Sequence, residues 1–363
     1  IKIGPDLNMS SGDPNTLLDF CKMVTTQFKS KKYHLLIWNH GTGDVEPQLK
    51  RAVNPSELFN FNPQTHKIEL DRSIGFLDFI RSVGEEDQER GSCFDDSSSS
   101  YITNKNLGQI LDIVCKDFLN GGQFETIIFD ACLMSMVGVA TSIKQANNGK
   151  GAAKYIVASQ EVVLGSGYDY FKMLSPIANS IMQTEDFVKH IVTSYTQVYS
   201  SIIQDYTQSV IKLENFDQLE QNINKISILL IDGLNKQKNF SVKRALKISK
   251  SKDHCTHFEE PTYIDLHHFY KNVISNLHRI ELQNPAETES LKQELIKELN
   301  EGCKIIKEVI FYNSVGQNLK NASGISIYFP EHSVHNSFAH TDFGSKNNWH
   351  KLLIKYISLP SAN

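Results

Sequence analysis

Two short motifs in this chain set reactive side chains beside very small residues: Asn39-His40-Gly41-Thr42-Gly43 and Asp130-Ala131-Cys132. A thiol attacks carbon only as its thiolate, and a histidine close in space raises the thiolate fraction and can carry the proton. Cys132 and His40 are therefore candidates for acyl transfer, with Cys132 attacking a carbonyl and His40 as general base and acid. Gly41 has no Cβ to obstruct its N–H, so Gly41 and the Cys132 amide could donate to a developing oxyanion. Asp130 lies two positions before Cys132, and on a continuous strand those side chains share a face. A carboxylate there would receive a cation beside the nucleophile. Taken alone, one Cys and one His at strand ends are packing residues more often than catalytic ones.

The chemistry requires both motifs at one place, and the surrounding pattern provides for that. The apolar run Tyr33-His34-Leu35-Leu36-Ile37-Trp38 is rich in strand formers, follows a helix-like stretch over 16–28, and runs into the glycine loop at His40. A second unit has helical spacing over 107–119, a stop at Asn120-Gly121-Gly122, and a strand over 124–129 that ends at Asp130. A third predicts a helix over 133–145, a turn at 147–151 and a strand over 154–159. Alternating helices and buried strands predict an α/β, three-layer αβα sandwich with a mostly parallel sheet, whose ligands sit beyond the carboxyl ends of the strands. His40, Cys132 and the pair Gln160-Glu161 all fall just past such ends. Beyond about residue 210 the pattern becomes helical, notably over 217–234 and 287–310. One strand-like exception is Gly324-Ile325-Ser326-Ile327-Tyr328-Phe329-Pro330, and the tail has an aromatic-rich segment over 349–356. The expected organisation is an α/β catalytic domain over 1–210 and a mainly helical domain over 211–363 that contributes the strand near 324–330.

Composition removes several alternatives. The 363 residues are 40% hydrophobic with 37 basic and 41 acidic side chains, so the formal net charge is −4 and no broad basic field attracts nucleic acid or anionic lipid. No apolar run approaches the roughly 18 residues that cross a bilayer, so membrane insertion is not expected. The six cysteines show no repeating spacing, and no pairing is assigned. His254-Cys255-Thr256-His257 is the one metal-like cluster; it lacks a second ligand pair and reads as a polar loop. The chain starts at Ile1 without a basic-then-apolar leader, which reads as a mature or trimmed product. The polar 84–91 stretch, bounded by glycines and containing Arg90, reads as an exposed, protease-accessible loop.

Asn39-His40-Gly41-Thr42-Gly43, Phe94-Asp95-Asp96, Asp130-Ala131-Cys132-Leu133-Met134, Ala158-Ser159-Gln160-Glu161 and the 324–330 segment, in that order and spacing, resemble the clostripain-like cysteine peptidases. The His-Gly and Ala-Cys pairs are shared more widely with caspases, legumains and gingipains; the other blocks select the clostripain branch. The resemblance implies a caspase-like fold and a bacterial cysteine endopeptidase that cleaves after Arg or Lys through a thioester. Cys132 would be the nucleophile, His40 the acid and base, Gly41 an oxyanion donor and Asp130 the floor of the basic pocket. Glu161 or Asp169 could add a second carboxylate. Some relatives carry an acidic residue in the turn that reads Gly165-Ser166-Gly167 here, so Ser166 would weaken the pocket's charge and leaves the choice between Arg and Lys open.

Relatives are often cut between the histidine and cysteine strands into heavy and light chains that stay together. Arg90 is the candidate self-cleavage site, with Arg51, Lys67, Arg72 and Arg81 as rivals. The partners implied are protein or peptide substrates, with the protein a monomer or a self-cleaved pair. The residues themselves call for no cofactor; the resemblance admits Ca2+, although no loop has EF-hand spacing. It also favours a secreted, periplasmic or cell-surface location. Family members usually start with an extra strand ahead of the region matching Ile1, so that strand was trimmed or the sheet edge is built differently. Two rivals remain: a non-catalytic secreted binding or adhesion module that retains the fold, and a transpeptidase of the legumain type.

Overall fold

The computed structural model describes residues 9–45, 58–71, 92–95 and 100–360. Its centre is a five-stranded sheet. Strands β1 (His34–Trp38), β6 (Phe124–Asp130) and β7 (Ala153–Ala158) run parallel, and β8 (Thr207–Lys212) and β10 (Ile310–Val315) complete the order β1-β6-β7-β8-β10. β8 is antiparallel to β7, and β10 is antiparallel to β8. All seven residues of β6 are buried, as expected for a strand covered on both faces. Three two-stranded ribbons flank the sheet: β2 (Phe59–Asn62) with β3 (Lys67–Leu70), β4 (Ser92–Asp95) with β5 (Ser100–Ile102), and β9 (Tyr263–Asp265) with β11 (Ser326–Tyr328).

Helices form the outer layers. α1 (Pro14–Gln27) starts with Asp13 as N-cap and Pro14 at the first turn, a position where the missing N–H costs nothing. It packs on α2 (Asn104–Ile113), which packs in turn on α3 (Val137–Gln145). On the opposite face α4 (Tyr170–Asn179) contacts α5 (Thr184–Tyr199), and α5 lies against β6, β7, β8 and β10. The His34 ring meets Phe187 of α5 edge-on at 4.9 Å, which fixes the outward face of β1 as the α5 side. The later helices are α6 (Phe216–Lys236), α7 (Ser241–Ser249), α8 (Leu266–Asn276), α9 (Pro285–Val309), α10 (Asp342–Lys346) and α11 (Trp349–Ser358). α6 packs against α3, α9 and α11, so buried side chains from both halves of the chain join one hydrophobic cluster.

The expected α/β sandwich with a mostly parallel centre is present, and the differences have local causes. The segment over 107–119 is helical, but its second half, Val114–Phe118, is a wider π turn. The helix expected from 133 starts at Val137, because the preceding residues bond instead to the loop after β7: Leu133 N–H to Glu161 O at 3.3 Å and Ser135 N–H to Ser159 O at 2.8 Å. β9 and β10 fall within the part expected to be mainly helical, and β8 straddles its start near residue 210. The 324–330 segment does form a strand, paired with β9 and not with the central sheet. Residues 84–91, Arg90, Arg51, Arg72, Arg81 and Asp96 lie outside the described residues. Lys67 is in β3, and its ammonium donates to Ser200 O at 3.0 Å.

Candidate active site

The parallel pairing of β1 with β6 sets Trp38 opposite Asp130, so the loops that follow leave the sheet side by side. One loop carries His40 and the other Cys132. Asn39 N–H still reaches Asp130 O at 3.3 Å, and the N–H of the half-buried His40 donates to Asn39 Oδ1 at 2.6 Å. A Cβ on Gly41 would stand 2.5 Å from Cys132 O and 2.8 Å from the Met134 side chain. Only glycine allows the two loops to pack this closely.

Cys132 is 2% exposed. Val163 N–H lies 3.3 Å from its sulfur, and the thiol points at Val163 O at 3.8 Å. Burial pushes the thiol up to about 12, against the weak pull of the Val163 N–H, and the nearby Glu161 and Asp130 push the same way. Leu133, the next residue, has φ of +61°, a left-handed conformation costing roughly 1–2 kcal/mol for a non-glycine residue. That turn ends the strand at Asp130. Strand alternation therefore does not extend to Cys132, yet both side chains reach the same segment, residues 162–170.

Asp130 is 3% exposed. Its Oδ2 accepts Tyr168 N–H at 3.0 Å and the Tyr170 hydroxyl at 2.5 Å, and a Cβ on Gly167 would collide with it at 2.3 Å. Burial raises its pKa, and the two hydrogen bonds only partly offset this. Among the described residues no basic side chain meets it. Tyrosines wall the site: Tyr168 stacks edge-on with Tyr195 at 5.3 Å, Tyr195 contacts Tyr199 at 4.5 Å, and the Tyr199 hydroxyl bonds Gly167 O and, at 2.9 Å, Ser166 Oγ. Ser166 is itself exposed.

The other two carboxylates have backbone partners. Glu161 is fully buried, and its Oε1 accepts Val162 N–H and Glu259 N–H, each at 2.9 Å. Asp169 caps α4 by accepting Lys172 N–H at 3.0 Å. The structure therefore gathers His40, Gly41, Cys132, Asp130 and Ser166 at one rim of the sheet. Glu161 faces the 259 backbone, and Asp169 faces its own helix.

Residues that the sequence reading did not single out complete the site. Asp44 is fully buried and its Oδ2 accepts Gly138 N–H of α3 at 3.2 Å, so the loop of His40 caps the helix that follows Cys132. Burial raises Asp44 to about 7 against the pull of the Gly138 and Val139 N–H groups. Tyr168 and Tyr170 flank Asp169 in sequence, a repeat that signals an aromatic wall only once its partner is known.

The metal-like cluster does not assemble. His254 Nδ1 pairs with Ser251 Oγ, both ring nitrogens of His257 face backbone carbonyls, and Cys255 is buried against Asp265 O. Among the described residues no three His, Cys, Asp or Glu side chains are grouped to hold a metal ion, and no helix is long and apolar enough to cross a membrane. Five described cysteines are free thiols.

Comparison with known proteins agrees with this architecture. A segment of the chain is 28% identical over 172 residues to clostripain of Hathewaya histolytica, covering 46% of this chain and 24% of that protein's length. An inactive zymogen C11 protease from Parabacteroides distasonis superposes with a TM-score of 0.53 at 17% identity, over 97% of this chain and 79% of that one. A secreted C11 cysteine protease from Bacteroides thetaiotaomicron, in complex with an irreversible peptide inhibitor, gives 0.54 at 14% identity, over 94% and 80%. These likenesses establish the fold as that of the C11 proteases. Residues 81–356 match the profile of the clostripain family, peptidase family C11, and the chain belongs to that family.

Proposed function

We propose that this chain is a cysteine endopeptidase that cleaves after Arg or Lys. The observation that carries the specificity is Asp130: a buried carboxylate beside the thiol, held by one N–H and one hydroxyl, with no described cation to neutralise it. A guanidinium or ammonium entering that pocket would be paired on arrival, whereas an apolar side chain would leave the carboxylate desolvated. Cys132 attacks the scissile carbonyl, His40 takes the thiol proton and returns it to the leaving amine, and Gly41 with the Cys132 N–H stabilises the oxyanion. Water then hydrolyses the thioester, with His40 as its base. Nucleophile and base are both side chains, so the reading requires no metal, and activity should survive EDTA. A fall that added Ca2+ reverses would show a calcium requirement instead.

Cys132 is covered by residues 162–163, and its thiol is held far from the thiolate range. We infer that this is a latent arrangement, opened when a peptide displaces the 162–168 segment or when the chain is cut between His40 and Cys132. The inactive zymogen among the structural neighbours supports this reading, and the secreted neighbour supports an extracytoplasmic location. Arg90 remains the first candidate for the cut, with the product a self-associated pair of chains. The same burial favours a second reading, a binding module that retains the pocket without turnover. Incubation with an arginine-directed chloromethylketone separates the two: adduct formation at Cys132 supports the peptidase, and an unmodified thiol with no turnover of arginyl amides supports the module.

A further inference from the structure

We propose that Tyr263 is a positioning residue for the catalytic base, acting through the backbone of the loop that carries His40; this rests on the dyad reading above. Tyr263 is on β9, 223 positions after His40, and is fully buried. Its hydroxyl donates to Thr42 O and accepts Val45 N–H at 2.9 Å. One oxygen thus ties together the peptide groups two and five residues beyond His40, in a loop with no regular ladder of its own. The Tyr263 ring fills the space where a Gly43 Cβ would stand, 2.8 Å from its Cε2, and Gly43 holds a φ of +71°.

Two further side chains tighten the same four residues. Asn104 donates to Gly43 O at 2.7 Å, and Asp44 accepts Gly138 N–H of the helix behind Cys132. The His40 loop is thereby clamped from β9, from α2 and from α3, the last of these being continuous with the Cys132 loop. The Tyr263 contact comes from the C-terminal half of the chain. Thr42 and Val45 are both buried, so water cannot replace the hydroxyl without displacing the loop. Reaction rates in such sites fall by about a hundredfold for a displacement of around 1 Å.

The experiment compares Tyr263→Phe with Tyr328→Phe. The second removes a hydroxyl from the residue paired with Tyr263 across the same ribbon, one that accepts His335 N–H at 3.0 Å, while Phe keeps the edge-on ring contact with Tyr263 at 6.1 Å. On an arginyl amide, Tyr263→Phe should lower kcat by about thirtyfold with KM within twofold. The acid limb of its kcat/KM profile should move to higher pH, because a loosened base no longer holds the thiol proton. Tyr328→Phe should leave kcat and the profile unchanged. An unaltered profile in Tyr263→Phe, a rise in KM alone, or equal losses in both variants would overturn the proposal. If Cys132→Ala keeps wild-type turnover, the dyad reading falls and the proposal with it. If Cys132→Ala is inactive while Tyr263→Phe matches wild type, only the proposal falls.

Discussion

At the scale of single residues, the energetics centre on Asp130. Removing one partner of a buried ion pair costs about 3–5 kcal/mol, because the other charge is left without a counterion. Asp130→Asn should therefore reduce kcat/KM on arginyl and lysyl amides by about two to three orders of magnitude at 1.4 kcal/mol per decade. Steady-state kinetics that show less than a tenfold loss would remove Asp130 from the pocket. The pH dependence has a definite sign. Burial raises Asp130 above the ordinary carboxylate value, so the empty pocket holds its proton to higher pH, and a bound cation displaces it. KM for an arginyl amide should accordingly fall as pH rises from about 4 through that raised value and then level off. In Asp130→Asn that dependence should vanish.

The meeting of Asp130, Cys132, His40 and Gly41 at one rim of the sheet was legible because each lies at or just past a strand end beside a small residue. Tyr168, Tyr170, Tyr199 and Asp44 were not. Tyr168 and Asp44 lie in irregular loops, where no period fixes the direction of a side chain, and Tyr170 and Tyr199 stand at the first position of α4 and the last of α5, where the helical pattern has only just begun or is ending. Glu161 and Asp169, the two candidates for a second carboxylate in the basic pocket that the resemblance implies, each accept backbone N–H groups.

At the scale of elements, the site consists of three loops leaving adjacent parallel strands, and their mutual contacts decide its geometry. Leu133 shows the balance of effects. Its left-handed φ costs roughly 1–2 kcal/mol, while its fully buried side chain returns about 1.5–3 kcal/mol. Leu133→Gly should relieve the strain yet lower stability by about 1 kcal/mol on balance, read from the denaturation midpoint. The helix expected from residue 133 begins at Val137 because this turn and its bonds to the 159–161 loop outcompete local helical propensity.

Asp44 makes a stability prediction. Its folded value is about 7 against an ordinary 3.8, so the folded state binds a proton that the unfolded state has released. That contribution is complete below about pH 4 and is lost as pH rises to about 7, at most about 4 kcal/mol. Denaturant titrations of Asp44→Asn should lack this component, and a wild type with flat stability over that range would contradict the assignment.

At the scale of the whole molecule, the two halves of the chain meet at the central sheet. β10 returns from the C-terminal half to pair with β8, and β9 reaches the His40 loop through Tyr263. Neither strand was visible in the sequence: β10 continues directly from the long helix α9, and β9 has only three residues. A pattern of period two cannot establish itself over so few positions. The helices α6 and α9, with 21 and 25 residues, were read nearly to their ends because long amphipathic patterns are hard to mistake. The near-neutral net charge of −4 says nothing about the local field, where the buried carboxylate of Asp130 lies close to the thiol; on the proposed reading that one group would select a cationic side chain.

The central claim is that Cys132 is the nucleophile of a peptidase with a pocket for basic side chains. The most direct measurement is hydrolysis of an arginyl amide by wild type and Cys132→Ala, with intact-mass mapping of the wild type after an arginine-directed chloromethylketone. The account predicts turnover that disappears in Cys132→Ala and a single adduct located on Cys132. Turnover that survives the substitution, or an unmodified Cys132 in a wild type that cleaves nothing after Arg or Lys, would contradict it.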